Sequence, residues 1–381
     1  MADIDPWESS DVSDYGKLIK DFGMESFDKF QIRFDSFRYV RRGVIFGQRD
    51  FGKIVAAMDK GKPFAMMTGL MPSGRFHLGH KMVADEIIWL QGMGAETFIC
   101  AADIESYLMR DIPFAQAQQT AALEYLANYL ALGLKKKDLH FWFQSDYINP
   151  YYRLRDMASK RVTFKELSAI YGDLSPGKII SALTQAADIL HPQLDIFGGP
   201  KPTVVPVGAD QHPHIRLTRD IAGRLSAKRD DPHDIQKKGR APKKLVDYPC
   251  MPPAATYHKF MSGLTGGKMS SSDPKSYIAL REDPKAASKK VKSAKTGGRA
   301  TVEEQKKLGG DPSACTVYEL YLYHLVDDDL ELSRIYHECT NGELSCGECK
   351  GACAQMIERM LTSHQKKLPK AEKTAMRIIG K

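Results

Sequence analysis

The stretch PFAMMTGLMPSGRFHLGHKMVADE (residues 63–86) indicates the fold, because a short apolar run gives way to a helical pattern through a turn that contains proline and glycine. The run PFAMMTGL (63–70) is mostly apolar and ends beside a glycine, as strands covered on both faces do. Val83, Ile87 and Leu90 then follow at the spacing of one helix face. A strand that leads directly into a helix is typical of a parallel α/β sheet.

The alternation of strand and helix continues along the chain. Short apolar runs recur as ETFICAAD (96–103), LHFWFQSD (139–146) and PTVVPVG (202–208), and 114–134 has helical periodicity. We therefore predict an α/β fold with a Rossmann-like parallel sheet, followed by helices alone. Three regions result: an N-terminal helical extension (1–60), a domain built on the sheet (61–283) and an all-helical C-terminal domain (284–381).

Composition and charge narrow the class of protein. The 381 residues are 43% hydrophobic and 27% charged, as in ordinary soluble proteins. The chain contains no apolar run of 18 residues and starts with an acidic, polar stretch, so we expect neither a membrane span nor a secretion signal. The net charge of +8 is concentrated in three late runs, which indicate either a surface for a polyanion or solvated helix faces. These runs are KKGRAPKK (237–244), KAASKKVKSAKTGGR (285–299) and HQKKLPKAEKTAMRIIGK (364–381).

A pair of histidines marks the first candidate site. His77 and His80 lie near the start of the predicted helix, where free backbone N–H groups attract anions. Pro72 and Ser73 shape the turn before them, and Gly79 lets a ligand approach the backbone. A metal pair is the alternative, but the local sequence offers no third ligand. The pattern favours a cradle for a nucleotide.

A second motif, LTGGKMSSSD (264–273), combines two glycines, a lysine and three serines. Gly266 and Gly267 give the loop freedom to move, while the Lys268 ammonium and the hydroxyls can follow phosphate charge as it develops. A glycine loop with one lysine is common by chance. Its combination with HLGH is much more specific.

HLGH after the first strand and KMSSS about two hundred residues later resemble the paired signatures of class I aminoacyl-tRNA synthetases. RRGVIFGQRDF (41–51), QAADILHPQ (185–193) and VPVGADQHPHIRLTRDIAGRL (205–225) are similar to segments of the tryptophanyl branch, archaeal type. The resemblance covers nearly the whole chain. It implies that tryptophan and ATP form tryptophanyl-adenylate and pyrophosphate, and that the tryptophanyl group then passes to the 3′-terminal ribose of tRNA(Trp).

The resemblance also implies the roles of individual residues. His77, His80, Lys268, Ser270 and Ser272 would be catalytic, stabilising charge on the phosphates and the leaving pyrophosphate. Because Ser271 replaces a lysine of the family motif, stabilisation of the pyrophosphate charge would depend more heavily on Lys268. Mg²⁺ would bridge the phosphates with few protein contacts. The ATP-binding residues would be Pro72, Ser73, Gly79, Gly208, Asp210, Gln211 and Met269, although Asp210 and Gln211 could instead simply begin a helix.

Tryptophan must be distinguished from tyrosine and phenylalanine, and a buried acceptor for the indole N–H can do this. Asp188 is the candidate acceptor, with Gln185 one turn earlier. Met67 and Cys100 stand where eukaryotic-type tryptophanyl enzymes have tyrosine and glutamine, and the Gln185–Asp188 pair also resembles that of archaeal tyrosyl enzymes. The predicted tryptophan-binding residues are Met67, Cys100, Asp103, Glu105, Gln185 and Asp188, with a helix-start role as the alternative for Asp103 and Glu105.

Seven cysteines, an odd number, with Cys100 in a predicted core strand, fit a reducing cytoplasm better than a disulfide scaffold. Cys315, Cys339, Cys346 and Cys349 are separated by 23, 6 and 2 residues, and Cys353 follows one turn later. Such thiolates could hold Zn²⁺ or a [4Fe–4S] cluster, as in a bacterial tryptophanyl branch, or could be reduced core cysteines.

The helical C-terminal domain would bind the anticodon region of tRNA, and a homodimer is expected from the family alone; no DNA or membrane partner is expected. Three other functions remain open. A tyrosyl-tRNA synthetase is the nearest, a catalytically silent RNA-binding paralogue is the second, and a small nucleotidyltransferase is the third. Retention of His77, His80 and Lys268 argues against the silent paralogue, and the helical domain argues against the nucleotidyltransferase.

Overall fold

The computed structural model describes residues 15–230, 244–267, 269 and 273–380. Its centre is a seven-stranded sheet in the order β1-β2-β9-β6-β3-β4-β5, beside a two-stranded ribbon of β7 and β8. The strands are β1 (Glu25–Ser26), β2 (Ile45–Arg49), β3 (Ala65–Leu70), β4 (Glu96–Ala101), β5 (Leu139–Phe143), β6 (Thr203–Gly208), β7 (Arg229–Asp230), β8 (Lys244–Leu245) and β9 (Ala254–His258).

Helices follow most of the strands, and only helices lie beyond residue 284. They are α1 (Tyr15–Asp21), α2 (Arg38–Arg41), α3 (Phe51–Asp59), α4 (Leu78–Gly92), α5 (Asp103–Arg110), α6 (Phe114–Thr120), α7 (Ala127–Leu132), α8 (Asn149–Ser159), α9 (Phe164–Tyr171), α10 (Pro176–Leu190), α11 (His212–Ser226), α12 (Pro284–Ser293), α13 (Val302–Leu308), α14 (Thr316–Leu320), α15 (Asp329–Thr340), α16 (Cys346–Gln365) and α17 (Leu368–Ile378). The α/β class, with a mostly parallel sheet and a helical tail, is confirmed.

The four predicted core strands form one parallel block. β4 pairs with β3 and β5, and β3 pairs with β6, all in parallel. β3 is buried on both faces, which explains why its sequence is apolar almost throughout. Strands β2 and β9 were not predicted from the sequence. β9 extends the parallel block beside β6, whereas β2 pairs antiparallel with β9 at the edge.

The predicted long helix over 114–134 is helical but irregular. A π-helical turn, Ala121–Leu126, joins α6 to α7, and a second π turn, Tyr321–Leu325, follows α14. π turns insert extra chain into a helix and are frequent near functional sites. The first of these two π turns carries Glu124 and Tyr125.

One hydrophobic cluster joins the sheet domain to the helical tail. Its buried members include Met66 of β3, Leu78 of α4 and Ile357 of α16. The helices after 284 are thus packed on the central sheet through a shared core. The boundaries at 60 and 283 stay predictions, although the strands do stop before 284 as expected. In the part of the chain that the structure describes, no helix is long and apolar enough to cross a membrane.

Candidate active site

The histidine pair forms the N-terminal cap of α4. His77 is the N-cap residue: its Nδ1 accepts from the Gly79 N–H at 3.2 Å, while Nδ1 of His80 accepts from the His77 N–H at 3.2 Å. The two ring centroids are 3.8 Å apart. Because each Nδ1 accepts a hydrogen bond, each neutral ring carries its proton on Nε2. The pair therefore presents two N–H donors beside the free N–H groups of a helix start.

Both imidazoles are uncharged at neutral pH. Burial lowers the pKa of His77 to about 4. Burial, reinforced by the neighbouring His77 ring, also lowers the pKa of His80 well below its usual value. Neutral rings donate hydrogen bonds without needing a counter-ion, so the cap can receive an anion and still be stable when empty.

The two sequence motifs meet at this cap. A β-carbon on Gly79 would lie 3.0 Å from His77 Cε1 and 3.3 Å from the Sδ of Met269. A larger residue at position 79 would therefore force the His77 ring or the Met269 side chain to shift by a few tenths of an ångström. Lys268, Ser270, Ser271 and Ser272 lie outside the described residues, as does the basic run 237–243. Met269, which is described, is buried beside Gly79.

A cavity of about 710 Å³ opens at the carboxyl ends of the strands, where α/β sheets bind ligands. Arg110 and Lys178 give part of its wall positive charge. Seven of the predicted site residues line it: Met67, Glu105, Gln185, Asp188, Gly208, Asp210 and Gln211. Predicted residues that do not line it are Pro72, Ser73, His77, Gly79, His80, Cys100, Asp103 and Met269.

Asp188 is the most heavily hydrogen-bonded group of the cavity wall. Its Oδ1 accepts from the Tyr151 hydroxyl at 2.7 Å and the Cys100 thiol at 3.3 Å. Its Oδ2 accepts from Nε2 of Gln144 at 2.7 Å. Burial raises the pKa of Asp188 to about 6 against the opposing effect of these donors, so the carboxylate is ionised at pH 7.

Gln144 and Tyr151 were not predicted as site residues. Gln144 directly follows β5, and a polar side chain at the carboxyl end of a parallel strand is the signal that could have identified it. Its Oε1 also accepts from the Glu105 N–H at 3.4 Å, which links two acidic residues of the site. Tyr151 gives no such signal, because only the packing of α8 on α10 brings it to Asp188.

Glu105 and Asp103 play different parts, although they are two residues apart on α5. Burial, and then the charge of Asp188, raise the pKa of Glu105 to about 7, and its side chain lines the cavity. The Asp103 carboxylate instead accepts from the Ser145 N–H at 3.0 Å and from Nε2 of Gln118 at 3.2 Å. Asp103 thus anchors the loop after β5, and its carboxylate makes no capping hydrogen bond to α5 although the helix begins at this residue.

The nucleotide side of the cavity is formed by the end of β6. A β-carbon on Gly208 would lie 2.6 Å from the Phe260 ring and 2.8 Å from the Asp210 carboxylate, so these neighbours, and not only a nucleotide, require glycine there. Nε2 of Gln185 donates to Oε1 of Gln211 at 3.5 Å, which joins α10 to the turn after β6. The Asp210 carboxylate and the side-chain amides of Gln185 and Gln211 therefore share one wall of the cavity.

The four spaced cysteines come together in the helical tail. Cys315, Cys339, Cys346 and Cys349 line one small, largely apolar cavity of about 20 Å³. Burial raises the pKa of the Cys349 thiol to about 12, so without a metal it is protonated. Among the described residues, which include all seven cysteines, no three Cys, His, Asp or Glu side chains are grouped so as to hold a metal ion. The predicted Zn²⁺ or [4Fe–4S] site is not supported.

Comparisons with known proteins identify the family of the chain. Residues 59–362 match the family described as tRNA synthetases class I (W and Y). A tryptophan–tRNA ligase of Hyperthermus butylicus is 48% identical over 99% of this chain and 97% of its own. One of Methanocaldococcus jannaschii is 42% identical over 100% and 98%.

A solved structure shares the whole architecture. The crystal structure of a tryptophanyl-tRNA synthetase from Aeropyrum pernix superposes with a TM-score of 0.87 at 45% identity, covering 98% of each chain. The chain therefore belongs to the class I tRNA synthetases of the tryptophan and tyrosine family, on the branch of the archaeal tryptophan–tRNA ligases.

Proposed function

We propose that the protein ligates tryptophan to tRNA(Trp) at the expense of ATP. In the first step a carboxylate oxygen of tryptophan attacks the α-phosphorus of ATP, and the bond to pyrophosphate breaks. In the second step a ribose hydroxyl at the 3′ end of the tRNA attacks the carbonyl of the adenylate, and AMP leaves. The observation that carries the proposal is the ionised, buried Asp188 in the cavity at the end of the sheet that also carries the histidine-capped helix.

His77 and His80 would stabilise phosphate charge rather than move protons. The tryptophan carboxylate is already a nucleophile at neutral pH, so the first step needs no general base. What it does need is stabilisation of the negative charge that builds on the phosphoryl oxygens and the leaving group. Two Nε2–H donors at a helix N-terminus supply this without net charge.

Lys268, Ser270 and Ser272 would stabilise the departing pyrophosphate, and Mg²⁺ would enter with ATP. Mg²⁺ usually keeps water and phosphate ligands, with one or two carboxylates from the protein at most. The ion would be held by the phosphates.

The amino acid and the ribose would bind on opposite walls of the cavity. Glu105 faces the cavity with its pKa raised to about 7, and pairing with the substrate ammonium would keep it ionised. Asp210 would accept hydrogen bonds from ribose hydroxyls. Gln185 and Gln211, which are hydrogen-bonded to each other, would bind the substrate ammonium or the ribose. Met67 supplies apolar contact for the indole ring.

Asp188 would select for the indole N–H. An ionised carboxylate has about four lone-pair positions. Tyr151 and Cys100 occupy both positions on Oδ1, and Gln144 occupies one on Oδ2. The remaining position on Oδ2 would accept the indole N–H, and phenylalanine, which has no such donor, would leave it unfilled at a cost of about 1–3 kcal/mol.

The helical tail would hold the tRNA, and the protein would act as a cytoplasmic homodimer. Exposed lysines of α12 suit a phosphate backbone. The cysteine cavity stays a predicted metal site, and anaerobic purification followed by iron, zinc and sulfide analysis decides it. Iron and sulfide, or zinc, at stoichiometry would establish a site, whereas neither would leave four reduced core thiols.

The experiment that tests the function is amino-acid-dependent exchange of labelled pyrophosphate into ATP, with each of the twenty amino acids in turn. Exchange with tryptophan alone is expected. Exchange with tyrosine would keep the mechanism and change the specificity. No exchange with any amino acid, beside an active control enzyme, would favour the silent RNA-binding paralogue.

A further inference from the structure

The turn that carries His77 is paired with the chain that follows the LTGGKMSSSD loop. Leu78 N–H donates to the Ile278 carbonyl at 3.0 Å, and Leu280 N–H donates to the Phe76 carbonyl at 2.9 Å. Between them His77 forms an antiparallel bridge with Ala279. The backbone under the first histidine is therefore held by residues 278–280.

Arg281 comes directly after this bridge, and its guanidinium binds two separate elements, α17 and the π turn. Its NH1 group donates to Oε1 of Glu372 on α17 at 2.6 Å. NH2 donates to the Leu123 carbonyl in the π turn, and Nε lies 3.7 Å from Oε1 of Glu124. The Arg281 side chain is only 20% exposed, so these ion pairs are partly shielded from solvent.

Glu124 connects Arg281 back to the histidine turn. Its other oxygen, Oε2, accepts from the Phe76 N–H at 3.2 Å. The next residue of the π turn, Tyr125, packs edge-on against the His80 ring with centroids 5.3 Å apart and accepts a backbone hydrogen bond from Gly74. Residues on both sides of the turn thus depend on the π turn that Arg281 holds.

A second helix of the tail, α16, is hydrogen-bonded to the same segment. Nε2 of Gln365, at the end of α16, donates to the Leu280 carbonyl at 3.0 Å and to the Glu282 carbonyl at 2.7 Å. The backbone on both sides of Arg281 is therefore bound to α16, while its guanidinium is bound to α17. None of Arg281, Glu124, Gln365 or Glu372 lines the substrate cavity.

We infer that Arg281 is a positioning residue for adenylate formation. It fixes the position of the histidine cap relative to the two C-terminal helices, α16 and α17. The inference rests on the proposed phosphate role of His77 and His80. A guanidinium suits this position because its planar fork reaches several acceptors at once, which an ammonium does not. Through Arg281 the helices that would hold tRNA are joined mechanically to the first chemical step.

The test compares Arg281→Lys with Glu372→Ala and Glu372→Gln in tryptophan-dependent pyrophosphate exchange, with no tRNA present. Arg281→Lys keeps the charge and loses the fork. We expect its kcat to fall roughly 10- to 100-fold, as a displaced catalytic group does, with the KM for tryptophan within about twofold of wild type. Glu372→Ala is expected to lower kcat in the same direction, and Glu372→Gln, which can still accept the hydrogen bond, to restore most of it.

Arg334→Lys is the matched control, since Arg334 pairs with Glu331 and Glu338 on the exposed face of α15. It should leave kcat unchanged. If Arg281→Lys does not fold, as melting would show, Glu372→Ala alone gives the answer. A normal kcat in Glu372→Ala overturns the inference, as does a normal kcat in a folded Arg281→Lys. His77→Ala tests the proposed phosphate role of the histidine cap separately. Full activity in His77→Ala would overturn both that role and the inference on Arg281.

Discussion

The Sδ atom of Met269 lies 3.3 Å from the position that a β-carbon on Gly79 would occupy. HLGH and LTGGKMSSSD, which are far apart in the sequence, are therefore in contact through Gly79 and Met269. The absence of a β-carbon on Gly79 leaves room for the Met269 sulfur. Both motifs act on the same phosphates in the proposed mechanism, so this contact has a direct consequence for activity.

Gly79→Ala is expected to lower the kcat of pyrophosphate exchange by roughly 10- to 100-fold, because the new methyl group would meet the His77 ring at 3.0–3.1 Å and displace it. Gly92→Ala is the matched control on the same helix, where a β-carbon meets nothing within 4 Å. That variant should keep full activity and gain about 0.5–1 kcal/mol in the free energy of unfolding. Wild-type kcat in Gly79→Ala would contradict the tight contact.

The KM for tryptophan should depend on pH through Asp188. Its pKa is raised to about 6, so the carboxyl is neutral below that pH and ionised above it. Since the ionised form offers the open lone pair to the indole N–H, protonation of Asp188 should raise KM as pH falls through about 6. Glu105, which would pair with the substrate ammonium, should add a rise centred near pH 7, so KM should be constant only above both pKa values.

Asp188→Asn identifies the group responsible, because Glu105 titrates near 7 in the same cavity. With an amide at 188 the part of the rise centred near pH 6 should disappear while the part from Glu105 stays, and KM should be about 10- to 100-fold higher at pH 8. Steady-state exchange kinetics between pH 5 and 8 measure both effects. An unchanged profile in Asp188→Asn would assign the titration to another residue.

Tyr151→Phe should shift that profile to higher pH. The Tyr151 hydroxyl donates to Asp188 Oδ1 at 2.7 Å and so favours the ionised form. Without this donor the pKa of Asp188 is expected to rise by about one unit, which corresponds to about 1.4 kcal/mol. Tyr336→Phe, at an exposed tyrosine of α15, is the control. Identical midpoints in wild type and Tyr151→Phe would show that the hydroxyl does not tune Asp188.

Salt should weaken tRNA binding through the lysines of α12. Lys285, Lys289 and Lys292 are exposed and share one helix face. Each phosphate contact contributes roughly 0.7–0.9 to the slope of log K against log salt. Replacing all three by glutamine should reduce the slope by about two, measured by filter binding, with the KM for tryptophan unchanged. The same change at Lys135, Lys136 and Lys137, exposed just before β5, should have no effect. Equal slopes in both triple variants would place the tRNA elsewhere.

Local signals in the sequence were enough for the four parallel strands β3, β4, β5 and β6 and for the histidine cap. β3 and α4 form where an apolar run meets a helical repeat, and His77 caps the helix because a turn with Pro72 and Gly74 precedes it. The sequence also placed Gln185 and Asp188 in one pocket, since they lie one turn apart on one helix.

The surroundings of Asp188 could not be predicted, because they depend on how distant elements pack. Gln144 follows β5, Tyr151 lies on α8 and Cys100 ends β4, and nothing in their local sequence indicates a shared acceptor. The antiparallel strand β2 was hidden for the same reason: its partner β9 is about two hundred residues away. Asp103 gave a misleading signal, since a carboxylate after a strand can anchor a loop as well as line a pocket.

The π turn at Ala121–Leu126 amounts to one surplus residue in an otherwise regular helix. An α-helix advances about 100° per residue, so deleting a single alanine, Ala122, would restore regular winding and turn the preceding and following helical faces by that angle relative to each other. Glu124 and Tyr125 could then no longer face residues 74–76 while α7 keeps its packing on α17. The length of this helix, counted to the single residue, is thus a constraint on any insertion or deletion that the chain can tolerate.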